Sequence, residues 1–206
     1  STQSTWGSEY TEKLMERFHI LLFIVLLHCS LAKAGEDAAS ADFIRASCSA
    51  TSYAQLCYES LSRYAGPVRH SEQSLARAAL SVSLAKAKSV QSFVSAMGKA
   101  QKLKGLEAQA LKDCIDTVGD SVDRLGQSIG EMAHMDPTAG RDFTFHVSNV
   151  ETWVSAALTD EDTCLDGFAD THGSTKAAIR RRIVDVAQVT SVGLALVNRF
   201  AGKYSP

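Results

Sequence analysis

The segment Leu111-Lys112-Asp113-Cys114-Ile115-Asp116-Thr117-Val118-Gly119-Asp120-Ser121-Val122-Asp123-Arg124-Leu125-Gly126-Gln127-Ser128-Ile129-Gly130-Glu131-Met132 decides the architecture. Its apolar residues Leu111, Ile115, Val118, Val122, Leu125, Ile129 and Met132 are spaced 4, 3, 4, 3, 4, 3. That alternation keeps one apolar stripe on one side of a helix for about six turns. Three further segments repeat the pattern. Residues 71–97 place Leu80, Leu84, Ala87, Val94 and Met97 on one face, and residues 141–168 do so with Phe143, Val147, Val150, Val154 and Ala157. The last follows Gly173-Ser174 and uses Ile179, Ile183, Val186, Thr190, Gly193 and Val197. Ser174 is expected to cap it, its hydroxyl accepting from an otherwise unpaired amide. Gly98 and Gly105 bracket a turn containing Lys99, Lys102 and Lys104, and Pro67 and Pro137 fall between periodic segments, as helix punctuation should. Four amphipathic helices with short turns predict an all-α, antiparallel up-down-up-down bundle over residues 71–206. A helical hairpin over residues 35–70 is expected ahead of it.

Composition agrees with this class. The chain has 206 residues, 45% hydrophobic, 21% charged and 7% aromatic, with 3 prolines. That length suits one domain with an appendage. A net charge of −2 argues against a generic nucleic-acid binder, which carries a basic footprint. The apolar content is too high, and the charge imbalance too small, for a disordered chain.

The first 34 residues read as an address. Met15-Glu16-Arg17-Phe18-His19 leads into the apolar run Ile20-Leu21-Leu22-Phe23-Ile24-Val25-Leu26-Leu27, and Leu31-Ala32-Lys33-Ala34 closes it with small residues. This predicts a secretory signal peptide over residues 15–34, cut after Ala34. The apolar run is short of the roughly 20 residues a spanning helix needs. Residues 1–14 precede the start methionine and are read as leader, leaving residues 35–206 as the folded domain.

Cutting there also removes Cys29 and leaves Cys48, Cys57, Cys114 and Cys164. An even count in a secreted chain predicts two disulfides, with three possible connectivities. Cys114 lies early in the second bundle helix and Cys164 late in the third, ends that antiparallel packing brings together. Cys114–Cys164 with Cys48–Cys57 is therefore favoured over the two pairings that would tie the hairpin twice to one end of the bundle.

Little in the sequence points to catalytic chemistry. No Gly-x-Ser-x-Gly turn and no Gly-rich phosphate loop occur. No Cys-x-x-Cys pair or His/Cys spacing suggests a metal site. His134 and His146 can approach across the turn at Pro137 and are read as surface residues, and Arg180-Arg181-Arg182 as a solvated helix face. Neither a catalytic residue nor a cofactor is expected. Trp153, one residue off the third stripe, is read as packing at the bundle boundary, with an interface anchor as the alternative.

One polar pattern is sharper. Asp113, Asp116, Asp120 and Asp123 are spaced 3, 4, 3 along the second helix, and Gln127 continues the row. Like charges at such spacing disfavour a helix by a few tenths of a kcal/mol, roughly 0.2–0.5 per pair. The row is either a solvated face partly compensated by Lys112 and Arg124, or an acidic docking strip. Gly119, Gly126 and Gly130 cost up to about 1 kcal/mol each relative to Ala. They are expected where another backbone, from the bundle or from a partner, approaches closely.

Several of these residues carry a family resemblance. The run from Thr152-Trp153-Val154-Ser155-Ala156-Ala157-Leu158-Thr159 through Asp160-Glu161-Asp162-Thr163-Cys164-Leu165-Asp166-Gly167-Phe168 resembles the third-helix signature of plant pectin methylesterase inhibitors, and equally of the inhibitor-like pro-regions of pectin methylesterases. Phe43-Ile44-Arg45-Ala46-Ser47-Cys48, ending in Tyr53-Ala54-Gln55-Leu56-Cys57, resembles the family's opening hairpin. Leu111-Lys112-Asp113-Cys114 and Leu125-Gly126-Gln127 resemble its second helix. The match runs from about Phe43 to Arg199.

The resemblance implies a disulfide-paired four-helix bundle and a non-enzymatic protein of the plant cell wall. It would bind pectin methylesterase one to one over the substrate cleft and stop demethylation of homogalacturonan. It implies that the second and third helices, with part of the N-terminal region, face the enzyme. Asp116, Asp120, Asp123 and Gln127 on the former, with Ser148, Thr152, Ser155 and Thr159 on the latter, are the candidate contacts; these eight are inferred from their helices rather than from a family motif.

Inhibitors of acid invertase belong to the same superfamily and are the nearest rival. Some carry Pro-Lys-Phe near the start of the third helix, where this chain reads His146-Val147-Ser148-Asn149-Val150. A pro-region would continue into a catalytic domain beyond Pro206. A secreted helical protein with no enzyme target is the alternative from a different class.

Overall fold

The computed structural model describes residues 15, 17–19, 23, 28, 35–100 and 103–204. The expected leader and signal peptide, Cys29 and Lys102 with them, therefore lie outside the described residues except at six scattered positions. Helix and turn account for the remainder, with no strand among the described residues.

The chain is helical over residues 35–48 (α1). α2 follows at Ala54–Leu61, and a 3-10 turn, Ser62–Tyr64, leads into the single-turn α3, Ala65–Val68. The return arm of the hairpin is thus broken into three pieces. Pro67, expected between periodic segments, sits inside α3, in a helix short enough that its missing N–H costs no ladder bond. The four long helices are α4 (Glu72–Ala100), α5 (Gly105–Ala133), α6 (Arg141–Gly167) and α7 (Ser174–Tyr204).

Local chemistry sets these boundaries. Arg69 and His70, with φ of 45° and 62°, reverse the chain after α3. Ser71 then caps α4, its Oγ accepting from the Ser74 N–H at 3.1 Å. Gly140, with φ +58°, supplies the left-handed residue that a Cβ would oppose just before α6. Ser174 does not cap α7; it is the first helical residue. The Gly173 carbonyl accepts from the Ala177 N–H instead, and Lys176 Nζ donates to the carbonyls of Ala169 and Thr171 across the turn.

α4 packs against α5 and α7, and α6 against the same two, so the helices form a closed ring around one core. Contacts between chain-distant ends fix the antiparallel sense. Gln73 Nε2 at the start of α4 donates to the carbonyls of Met132 and Met135, at and just past the end of α5, both at 3.1 Å. Glu72 pairs with Arg199 near the end of α7. Phe143 at the start of α6 meets Phe200 of α7 edge-on, with centroids 5.5 Å apart. The stripe residues Leu80, Leu125, Val154 and Ile179 are fully buried.

For the glycines of α5 the bundle alternative does not hold. A Cβ on Gly126 or Gly130 would meet nothing within 4 Å, and one on Gly119 only the Gln91 side chain. No backbone of the bundle approaches them. Close approach occurs at Gly193, where a Cβ would lie 2.9 Å from Leu80 Cδ2, so the absence of a side chain lets α7 seat against α4.

Candidate functional site: the α5/α6 face

Both disulfides are present. Cys48–Cys57 closes the hairpin with a sequence separation of 9, and Cys114–Cys164 ties α5 to α6 with a separation of 50. The second bond is buried at both cysteines and fixes one end of the helix pair.

Further contacts along α5 and α6 hold the rest of the seam. Arg124 Nε donates to Asp160 Oδ2 at 2.8 Å. The Asp160 carboxyl is nevertheless pushed above its usual range, chiefly by burial and also by the nearby Asp120 charge, against the downward pull of Arg124. At the other end Glu131 Oε1 accepts from Asn149 Nδ2 at 2.7 Å, with His146 Nδ1 at 2.8 Å. Those two contacts, Asn149 first, hold the Glu131 carboxyl below its ordinary value. His134 and His146 therefore do not form a pair: His146 is spent on Glu131, and His134 is exposed.

Arg124 is accordingly not available to neutralise the acidic row, as the sequence suggested, because it points across to α6. Asp113, Asp116, Asp120, Asp123 and Gln127 are all exposed. At about 100° per residue they lie opposite the buried stripe of α5. Gln109 donates to Asp113 at 2.7 Å; Asp116, Asp120 and Asp123 have no cationic partner among the described residues.

Ser148, Thr152, Ser155 and Thr159 are likewise exposed on α6. Two hydroxyls turn inward on their own helix: Thr159 Oγ1 donates to the Ser155 carbonyl and Thr163 Oγ1 to the Thr159 carbonyl. Helical phase divides the eight candidates. Asp120, Gln127, Thr152 and Thr159 lie on the sides of the two helices that share one face, whereas Asp116, Asp123, Ser148 and Ser155 lie towards its outer edges.

Two residues of this face were missed by sequence reasoning. Phe145 is 62% exposed at the start of α6, and Leu106 is 70% exposed at the start of α5. Both fall on the shared side of their helices, at opposite ends of the acidic row. Their signal was an apolar residue off the stripe. Trp153 is half-buried on the side of α6 turned to α5, in keeping with a boundary position.

Among the described residues no group of His, Cys, Asp and Glu is arranged to hold a metal ion. The fold is a disulfide-tied helical bundle whose α5/α6 pair presents an exposed acidic row. The family follows from comparison: the model of the plant invertase/pectin methylesterase inhibitor family matches residues 42–196, and the chain belongs to that family. It is thus an inhibitor-family protein rather than an enzyme. It is 51% identical over 191 residues to Pectinesterase inhibitor 9 of Arabidopsis thaliana, covering 90% of this chain and 93% of that one. It is 45% identical over 185 residues to a 21 kDa protein of Daucus carota, covering 89% and 93%. A crystal structure of a mutant form of a pectin methylesterase inhibitor from Arabidopsis superposes with a TM-score of 0.59 at 18% identity, covering 73% of this chain and 92% of that one. At that identity it speaks for the shared fold.

Proposed function

We propose that the protein is a secreted inhibitor of plant pectin methylesterase that acts in the apoplast, binding one to one with its α5/α6 face across the substrate cleft. The observation that carries this reading is the exposed acidic row on a helix pair pinned by a disulfide and a cross-helix ion pair. Its relation to proteins named pectinesterase inhibitors supports the choice of target. Secretion rests on the segment read as a signal peptide over residues 15–34. No cofactor enters the mechanism.

The mechanism is steric occlusion with electrostatic steering. Uncompensated carboxylates facing basic groups of a partner raise the association rate more than the affinity. They are screened as the Debye length falls to about 10 Å at 0.1 M salt. Replacing both carboxylates in Asp116→Asn with Asp120→Asn should slow association with the esterase about 3- to 10-fold at low salt and flatten its salt dependence. Association rates across a salt series check this. An unchanged salt slope would mean that the row is only a solvated face. Light scattering on the mixture tests the stoichiometry, and a mass of one inhibitor plus one enzyme is expected.

A further inference from the structure

Glu161 occupies a core position of α6 and is only 1% exposed. Three helices meet at its carboxyl. Ser121 Oγ of α5 donates to Oε1 at 2.8 Å, and Thr190 Oγ1 of α7 lies 3.1 Å from the same oxygen. Oε2 has no hydrogen-bond partner among the described residues and is closed off from solvent. The charges that act on it, Asp160 and Asp162, are on its own helix and both acidic. α5 brings Asp120 and Arg124 to the adjoining turn, and Arg124 is held by Asp160. The buried residues of α4, α5 and α7 include no titratable side chain apart from the disulfide-bonded Cys114. Among the described residues no cation offsets a charge here.

Burial, with those two like charges, pushes the Glu161 carboxyl up to about 7, against the pull of the Ser121 and Thr190 hydroxyls. The hydroxyl of Thr190 adds a geometric constraint, because its single proton faces both Glu161 Oε1 and the Val186 carbonyl, each at 3.1 Å. With the carboxyl neutral, its own O–H can donate to Thr190 Oγ1 while Thr190 donates to Val186. With the carboxyl ionised, that proton is gone, and Thr190 satisfies only one of its two acceptors.

We propose that Glu161 is a protonation latch that ties α5, α6 and α7 together in acid and loosens them towards neutrality, so that the docking face is firm only on the acidic side. The docking half of this inference rests on the function proposed above; the stability half does not. The sign follows from linkage. An unfolded glutamate titrates near 4.5, so between there and about 7 the native state holds a proton that the unfolded state has lost. Stability falls with rising pH across that window and levels off above it.

The test is thermal denaturation of the purified protein from pH 4.5 to pH 8, compared with Glu161→Gln and Ser121→Ala. The Tm of the unsubstituted protein should fall by about 5–10 °C across the window. Glu161→Gln should abolish most of that fall, which assigns it to this carboxyl. Ser121→Ala, which removes a donor that favours the ionised form, should move the midpoint to higher pH. A Glu161→Gln curve parallel to that of the unsubstituted protein would overturn the latch. Inhibition of pectin methylesterase at pH 5.5 and 7.5 tests the docking half. Glu161→Gln should retain more of its inhibition at pH 7.5 than the unsubstituted protein does, and identical pH profiles would refute the coupling. An unsubstituted protein that inhibits at neither pH would remove the docking half alone, and the denaturation curves would still decide the latch.

Discussion

The double substitution Cys114→Ser with Cys164→Ser is expected to lower stability by about 4 kcal/mol, the loop-closure value for a span of some 50 residues. The corresponding change at Cys48 and Cys57 should cost less, about 2.5 kcal/mol for its shorter loop. Chemical denaturation of each variant measures the two values. Function should follow the same order. Cys114–Cys164 joins the two helices that carry the acidic row and the exposed Phe145, so its loss should loosen the docking face and weaken inhibition. Cys48–Cys57 lies in the hairpin, whose α2 packs on α4 and α7. Equal inhibition by the intact and the reduced protein would contradict this role for the α5–α6 bond.

The second large effect is expected at the opposite end of the bundle. Phe200 is 2% exposed and joins Phe143 and Tyr204 in an edge-on aromatic cluster, with centroids 5.5 and 5.6 Å from its own. Truncation by Phe200→Ala should cost about 3–5 kcal/mol through lost burial and the cavity left behind. In a domain of this size that lowers Tm by roughly 10–15 °C. Tyr204→Ala, at a residue 44% exposed, should cost far less. Inhibition per folded molecule should be unchanged in both, because neither residue reaches the α5/α6 face. A Phe200→Ala variant as stable as the unsubstituted protein would mean that the α6–α7 end is not held by this cluster.

The bundle was legible because its helices bury a single stripe each. The alternating spacing from Leu111 to Met132 set the phase of α5, and the same rule placed α6 within a residue of where it ends. Local chemistry was less legible. Ser174 has a capping residue's identity, but Gly173 takes the backbone geometry and Ser174 enters the helix.

The polar interior needed the third dimension. Arg124 sits four residues after Asp120 and reads as its partner, yet its guanidinium turns to Asp160 of α6, a residue 36 positions away. Gly126 and Gly130 suggested an approaching backbone from the bundle or a partner; the bundle brings nothing within 4 Å of a Cβ there, and its tight helix contact falls at Gly193. Glu161 left a signal: the α6 stripe, continued beyond Ala157 by the same step, lands on it. Its role depends on hydroxyls from α5 and α7, which no spacing within α6 reveals.

The α5/α6 face was legible as an acidic row and only partly as a surface. Phase along one helix identifies the exposed side; which residues of two helices share a face depends on how they pack. That packing places Asp120 and Thr152 on the shared side and Asp123 and Ser155 towards the edges.

The central claim is that this face belongs to an inhibitor of pectin methylesterase. Paired assays of the purified protein against a plant pectin methylesterase and a plant acid invertase, at mildly acidic pH, test it most directly. Loss of esterase activity at near-equimolar inhibitor, with invertase unaffected, is the expected result. Loss of invertase activity alone, or of neither, would contradict it.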